Sequence, residues 1–147
     1  MQGLFYYLLA FSAGLVLVLQ VGMNSTLRRV LDSPLAAALI SFLVGTLALA
    51  LYLLVTRTPW PARAQLAAVP AWCWYGGVFG AFYVLTSVIV GPRLGAATLL
   101  SLIVLGQLLT SLLVDHFGWV GFPQHPVSLL RLTGAVLLFV GVLLITR

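Results

Sequence analysis

The stretch from Leu94 to Gly121 constrains the fold most strongly, because it is almost wholly apolar up to Asp115. An apolar run of about twenty residues crosses ~30 Å of hydrocarbon as an α-helix. The run contains a single amide, Gln107, and Gly118 follows it where a helix C-cap falls. We therefore predict a membrane-spanning helix that carries one polar side chain inside the bilayer.

Composition extends this prediction to the whole chain. The sequence is 63% hydrophobic and only 6% charged, whereas ordinary soluble domains carry about 25% charged residues. We therefore predict an all-α integral membrane protein whose main partner is the lipid bilayer. The seven basic residues are all Arg and stand mostly at the ends of apolar runs. This placement is typical of interfacial anchors and does not indicate nucleic-acid binding.

Five apolar runs predict five transmembrane helices in a single domain over residues 1–147. The helices are predicted at about residues 4–25, 34–55, 72–90, 94–116 and 129–146. Ser33 suits an N-cap and Pro34 the first helical position of the second helix. Ser128 can cap the last helix in the same way. The sequence 91–93, Gly-Pro-Arg, is expected to end the third helix.

Five spans place the two termini on opposite faces of the membrane, and we call the N-terminal side face A and the other face B. Three arginines fall near face A and four near face B. Orientation follows Lys/Arg asymmetry, so this near balance indicates either insertion in both orientations or an orientation set by another feature. Every Trp lies near face A, and an antiparallel pair of chains would restore an aromatic belt on both sides.

Signatures of an enzyme are absent from the sequence. The only acidic residues, Asp32 and Asp115, fall on opposite faces and cannot form a carboxylate pair within one chain. His116 and His125 match no metal-ligand spacing, so we expect no metal and no cofactor. Asp115, at the end of the fourth helix, is the one carboxylate that could couple transport to protons.

Polar residues inside the spans are the candidates for a solute site. An amide without a partner in lipid costs roughly 2–7 kcal/mol, so Gln20 and Gln107 should face other helices or a wet cavity. Asn24 lies four residues after Gln20 and therefore on the same helix face. Tyr83 carries a hydroxyl that needs a partner at depth. The alternative is structural, with each group bonded across a helix interface for about 0.6 kcal/mol.

Small residues predict where helices pack closely. Gly76 and Gly80 form a small-xxx-small pair on the third helix, which favours close approach of another helix. Gly134 and Gly141 lie seven residues apart on one stripe of the fifth helix. We predict helix packing at all four glycines.

Several short blocks together resemble the YdcZ-like family of bacterial inner-membrane proteins, and they cover nearly the whole chain. The blocks are Gln20-x-x-x-Asn24, Ser33-Pro34-Leu35-x-Ala37-Ala38, Ser41-Phe42-x-x-Gly45-Thr46, Gly76-Gly77-x-x-Gly80-Ala81-Phe82-Tyr83, Pro92-Arg93-Leu94-Gly95-Ala96-Ala97 and Gly106-Gln107-x-x-x-Ser111-x-x-x-Asp115-His116-Phe117-Gly118. The family belongs to the drug/metabolite transporter superfamily. The resemblance implies a multi-pass protein of the inner membrane that exports a small solute.

The superfamily also implies an assembly. Its small multidrug resistance proteins pair antiparallel and bind protons and cations with a Glu of the first helix. Gln20 has a similar local setting, but an amide does not exchange a proton near neutral pH. Larger superfamily members contain two five-helix repeats of opposite orientation, so this chain is similar to one repeat. Inverted repeats meet at a midplane site.

The resulting hypothesis is an exporter of a small organic solute that works as an antiparallel homodimer, or as a heterodimer with a related chain. At ~1.5 Å per residue, Gln20 lies ~24 Å from face A and Gln107 ~20 Å from face B. Inverting one chain brings these two amides to similar heights, which predicts a shared cavity between protomers. The alternatives are a dual-topology channel for a small ion and a membrane subunit that transports nothing itself.

Overall fold

The computed structural model describes residues 2–147 (for residue 2, the backbone alone), and these residues are predominantly α-helical. The helices are α1 (Gln2–Leu31), α2 (Pro34–Val55), the short α3 (Arg63–Ala67), α4 (Tyr75–Leu94), α5 (Ala96–Phe117) and α6 (Leu129–Ile145). A single 3-10 turn, Ala71–Trp74, leads into α4. No β-strand occurs in this range, so the all-α prediction is confirmed.

Within residues 2–147, four helical segments are long and apolar enough to cross a membrane. They are Gly3–Leu31, Pro34–Val55, Ala71–Leu94 and Ala96–Phe117. The last helix, α6, is also apolar but has only 17 residues. The length and composition of these helices fit a multi-pass membrane protein, and the fifth span stays a prediction.

Local capping signals lie where the sequence predicts them. The Ser33 hydroxyl accepts a hydrogen bond from the Ala36 N–H at 3.2 Å, and Pro34 opens α2. The Ser128 hydroxyl accepts from the Arg131 N–H at 3.3 Å and caps α6. Gly118 ends α5 with φ +66°, the left-handed conformation of a C-cap glycine.

Two helix ends differ from the prediction. The first helix, predicted to end at about residue 25, continues to Leu31, so Asn24 lies within the helix and not near its end. The third long helix, α4, continues through Pro92 to Leu94, and the chain breaks at Gly95, where φ is +80°. The predicted break at 91–93 is therefore wrong. The physical reason is a hydrogen bond from Arg28 of α1, which gives the Val88 carbonyl a donor in place of the N–H that Pro92 lacks.

The helices form two compact units, one ending at Arg93 and one beginning at Leu94. In the first unit, α1 packs on α2, and a buried cluster joins Ala37 and Ala38 of α2 to Val84 and Val88 of α4. In the second unit, α5 packs on α6. A single domain over the whole chain stays a prediction.

Each span exposes most of its surface. At most 17% of the most apolar 18-residue window of any span is buried. The exposed side chains are largely aliphatic and aromatic, as expected for surfaces that face lipid or another apolar helix. Burial is concentrated around residues 21–38 and 84–91 of the first unit, and the buried polar residues Asn24 and Ser87 lie in these two ranges.

Candidate functional site

The seam between α1 and α2 contains a groove of about 610 Å³. Its walls are mainly aliphatic, with three polar side chains. The lining residues are Val16, Leu19, Gln20, Met23, Asn24, Leu27, Ile40, Ser41 and Val44. We call this cavity the α1–α2 groove. Mostly apolar walls with a few polar groups are typical of small-molecule sites.

A second cavity, of about 230 Å³, shares Gln20 and Ser41 with the α1–α2 groove. Its other walls belong to α2 and include Gly45 and Thr46. Gln20 and Ser41 therefore stand where the two cavities meet. A solute in either cavity would find an amide and a hydroxyl within the spans.

Both amides of α1 that the sequence singles out line the groove. Asn24 is only 7% exposed, and Gln20 is half-buried. Their four-residue spacing puts both side chains on one helix face, as expected for an α-helix. A carboxamide offers two donors and one acceptor oxygen, so the pair can bond a solute that both donates and accepts.

Tyr83 lies on α4 and not in the groove lining. Its ring packs against the buried cluster of Ala37, Ala38, Val84 and Val88. Its hydroxyl is fully buried and has no hydrogen-bond partner within residues 2–147. The nearby Ser87 hydroxyl instead donates to the Tyr83 backbone carbonyl at 2.8 Å. A buried phenol without a partner costs free energy, so Tyr83 stays a site candidate.

Arg28 makes a contact that the sequence did not predict, since its position at the end of an apolar run is typical of an interfacial anchor. Its side chain is part-buried, and Nη1 donates to the Val88 carbonyl of α4 at 3.0 Å. A longer contact, 3.4 Å, joins the same nitrogen to the Ile89 carbonyl. The available signal was Pro92, because a proline removes the N–H that would bond the carbonyl four residues earlier.

The candidate residues of α5 divide into two groups. Asp115, at the C-terminal end of α5, forms an ion pair of 2.8 Å with Arg131 of α6. Nearby, a cavity of about 240 Å³ includes Thr110, Ser111 and Asp115. Gln107, by contrast, is exposed on the helix surface. Its predicted role in a solute site therefore depends on something outside the α5–α6 pair.

The connection between α5 and α6 is held by hydrogen bonds. The Asp115 carbonyl accepts from the His125 N–H at 2.7 Å, and the His116 ring nitrogen Nδ1 accepts from the Val127 N–H at 3.2 Å. The Gln124 side chain donates to the His116 carbonyl at 3.0 Å. Each polar group here bonds to the protein itself, which indicates a structural role.

The glycines differ in what surrounds them. A Cβ added at Gly80 would lie 3.5 Å from the Phe42 ring of α2, in ordinary van der Waals contact. At Gly76, Gly134 and Gly141 it would meet nothing within 4 Å among the residues that the structure describes. A packing role at these three positions therefore requires a neighbour from outside the single chain, and it stays a prediction.

Candidate metal ligands do not cluster. Within residues 2–147, no three His, Cys, Asp or Glu side chains come together in a group that could hold a metal ion. Cys73 is exposed in the turn before α4.

Comparison with known proteins identifies the family. Residues 5–144 match the family described as "Putative inner membrane exporter, YdcZ". The chain is also 30% identical over 136 residues to the inner membrane protein YdcZ of Escherichia coli (strain K12), covering 92% of this chain and 91% of that protein. No solved structure matches the chain.

Proposed function

This chain belongs to the YdcZ family of inner-membrane proteins, and we propose that it exports a small, uncharged organic solute as a dimer. The observation that carries the proposal is the α1–α2 groove, where amide and hydroxyl groups line a cavity inside apolar spans. Polar groups at membrane depth are costly and mark solute pathways in many transporters. The protein is not an enzyme in this proposal, and it uses no cofactor or metal.

The chemistry of the groove favours an uncharged solute. None of its nine lining residues is ionisable. Of the two carboxylates in the chain, Asp115 pairs with Arg131, and Asp32 lies in the turn between α1 and α2. An organic cation would therefore find no counter-charge in the groove, and burying an unpaired charge costs far more than burying a hydrogen-bonded polar group. The solute best suited has an apolar body and at least one hydrogen-bonding group.

The proposed topology has five spans in one transmembrane domain, similar to one repeat of a drug/metabolite transporter. With 17 residues, α6 is ~25 Å long and reaches the lower limit of about 17 residues for a span. Five spans leave the termini on opposite faces. A second chain in the opposite orientation then supplies the inverted repeat that such transporters contain.

The proposed site joins Gln20 of one protomer to Gln107 of the other. Their heights along the spans agree when the second chain is inverted. The exposure of Gln107 on α5 leaves its amide free to meet another subunit. The near balance of arginines between the faces favours the mixed orientation that an antiparallel homodimer requires. A heterodimer with a related chain of opposite orientation has the same geometry.

A flux experiment in proteoliposomes tests the transport proposal. Purified protein is screened with solutes in sets of similar size, each containing a neutral compound, an amine and a carboxylate. We expect saturable flux of a neutral member that rises when the same solute is present on the opposite side. Flux that does not change when the same solute is present on the opposite side would favour a channel. Flux only after addition of a second protein would favour a non-transporting subunit.

Cross-linking tests the dimer separately. Gln20→Cys and Gln107→Cys are combined in a Cys73→Ser background, and we expect disulfide linkage between chains. Leu109→Cys is the matched control for Gln107→Cys, because Leu109 is also exposed on α5 but lies about 200° around the helix. Linkage within a chain, or none in intact dimers, contradicts the shared site. C-terminal reporter fusions that are active on only one side of the membrane would contradict the antiparallel homodimer and favour the heterodimer.

A further inference from the structure

Pro92 removes a backbone hydrogen-bond donor from the interior of α4. A helical residue at position 92 would normally donate its N–H to the carbonyl of Val88, four residues earlier, and proline has no N–H to give. Val88 is completely buried, with 0% of its surface exposed. An unpaired carbonyl in such surroundings is strongly unfavourable inside a membrane, where no bulk water can serve as donor. Yet α4 continues past this point to Leu94.

The missing donor comes from another helix. Arg28 of α1 places Nη1 3.0 Å from the Val88 carbonyl oxygen and 3.4 Å from that of Ile89. The guanidinium also suits this location electrostatically. These carbonyls belong to the last turns of α4, and the negative end of a helix dipole favours a cation. Within residues 2–147, Arg28 forms no ion pair with a carboxylate, so the α4 carbonyls are its partners.

Arg28 also belongs to the polar face of α1. Gln20, Asn24 and Arg28 follow one another at intervals of four residues and therefore lie along one side of the helix. Gln20 and Asn24 line the α1–α2 groove, and Arg28 donates a hydrogen bond to α4. A rotation of α1 that broke the Arg28 contact would also turn both amides.

We propose that Arg28 and Pro92 form a matched pair, in which the arginine replaces the hydrogen bond that the proline removes and thereby fixes α1 against α4. Arg28 is then a positioning residue for the groove amides and makes no contact with solute. Its effect on transport rests on the proposed function. The contact itself does not, and it can be tested by stability alone.

A double-mutant cycle on Arg28 and Pro92 tests the pairing. Arg28→Met, Pro92→Ala and the double variant are purified in mild detergent, and their thermal unfolding midpoints are compared with that of the parent protein. We expect Arg28→Met to lower the midpoint by several degrees when Pro92 is present. In the Pro92→Ala background the same substitution should lower the midpoint much less, because the N–H of an alanine at position 92 can bond the Val88 carbonyl.

Two further variants separate this role from a general effect of charge. Arg29→Met removes the neighbouring arginine, whose side chain within residues 2–147 bonds only the Thr26 hydroxyl of its own helix at 3.1 Å, and should leave the midpoint nearly unchanged. Arg28→Lys keeps a cationic donor and should therefore lower the unfolding midpoint less than Arg28→Met does. If Arg28→Met yields no folded protein, the recovery of folded protein in the double variant is the readout.

The proposal would be overturned if Arg28→Met lowered the unfolding midpoint equally with proline and with alanine at position 92. An Arg29→Met variant as unstable as Arg28→Met would overturn it as well. If the cycle shows coupling while no solute is transported, the pairing stands and the proposed function fails. If transport is found without coupling, the pairing fails and the proposed function stands.

Discussion

The α1–α2 groove and the connection between α5 and α6 use polar residues in opposite ways. In the groove, Gln20 and Asn24 line a cavity among apolar side chains. At the end of α5, Asp115 and His116 bond to neighbouring parts of the protein, through Arg131 and the backbone of the 125–127 segment. Asp115 also lines a cavity, of about 240 Å³, but its carboxylate is already paired with Arg131, whereas the two amides line the larger groove of about 610 Å³.

This difference distinguishes polar groups that could bind a solute from polar groups that stabilise the fold. A polar group that is already bonded to the protein stabilises the fold, and binding a solute would require breaking that bond. A polar group that lines a cavity can exchange its partner for a solute at little cost. We therefore propose that the groove recognises the solute and that the α5–α6 connection stabilises the fold, and four sets of variants test this division.

The largest effect is expected from the groove amides. Replacing Gln20 and Asn24 together with Leu removes about two hydrogen bonds to solute, each worth about 1.4 kcal/mol, so transport efficiency should fall roughly 100-fold. The measurement is concentration-dependent flux in proteoliposomes. Gln124→Leu is the matched control, since it makes the same chemical change in the α5–α6 connection, where Gln124 bonds the His116 carbonyl. Loss of transport in the control alone would reverse the assignment.

A bulky residue at Gly80 should disturb the packing behind the groove. Its Cβ would contact the Phe42 ring at 3.5 Å, so Gly80→Leu forces extra atoms between α4 and α2 and should cost about 1–3 kcal/mol of stability. Thermal unfolding in detergent measures this. Gly76→Leu is the control, because position 76 is open within the chain. We expect that variant to keep a folded monomer and to weaken only dimers, and a stable, active Gly80→Leu protein would contradict the packing.

Gly118 tests the α5–α6 connection directly. Its φ of +66° is left-handed, and an added Cβ would approach the Gln124 Cβ to 3.3 Å. A left-handed non-glycine residue costs about 1–2 kcal/mol, so Gly118→Ala should lower the unfolding midpoint while solute affinity stays unchanged. Gly106→Ala lies within α5, where an added Cβ meets no described residue within 4 Å, and should be neutral or slightly stabilising. A Gly118→Ala protein with altered solute affinity would show that the two regions are coupled.

The smallest effect is expected at Asp115. Its ion pair with Arg131 is partly exposed, with the side chains 23% and 40% accessible, and such pairs contribute about 0.2–1 kcal/mol. Asp115→Asn should therefore destabilise the protein slightly and leave the pH profile of transport unchanged. The same flux assay, repeated across pH, checks this. A changed profile would give Asp115 the proton-coupling role that its position at the end of α5 permits.

The parts of the structure that depend on neighbouring residues alone could be predicted from the sequence. Apolar runs of sufficient length predict the spans, because the bilayer leaves a helix few alternatives. Ser33 and Ser128 predict helix starts, because a serine hydroxyl bonds a backbone N–H within the same turn. The shared face of Gln20 and Asn24 follows from the helical period. Each of these features requires only contacts within a few residues.

Features that need a partner from a distant part of the chain were decided by the tertiary structure. Pro92 alone indicates a helix end, and the prediction failed because the donor that replaces its N–H is Arg28, sixty residues from the accepting Val88 carbonyl. The sequence marks Arg131 as an interfacial anchor, but in the fold it pairs with Asp115. Nor does a helical pattern show that Gln20 faces a cavity while Gln107 lies exposed. That depends on which helix packs against each face, and the packing of distant helices is set by the tertiary fold.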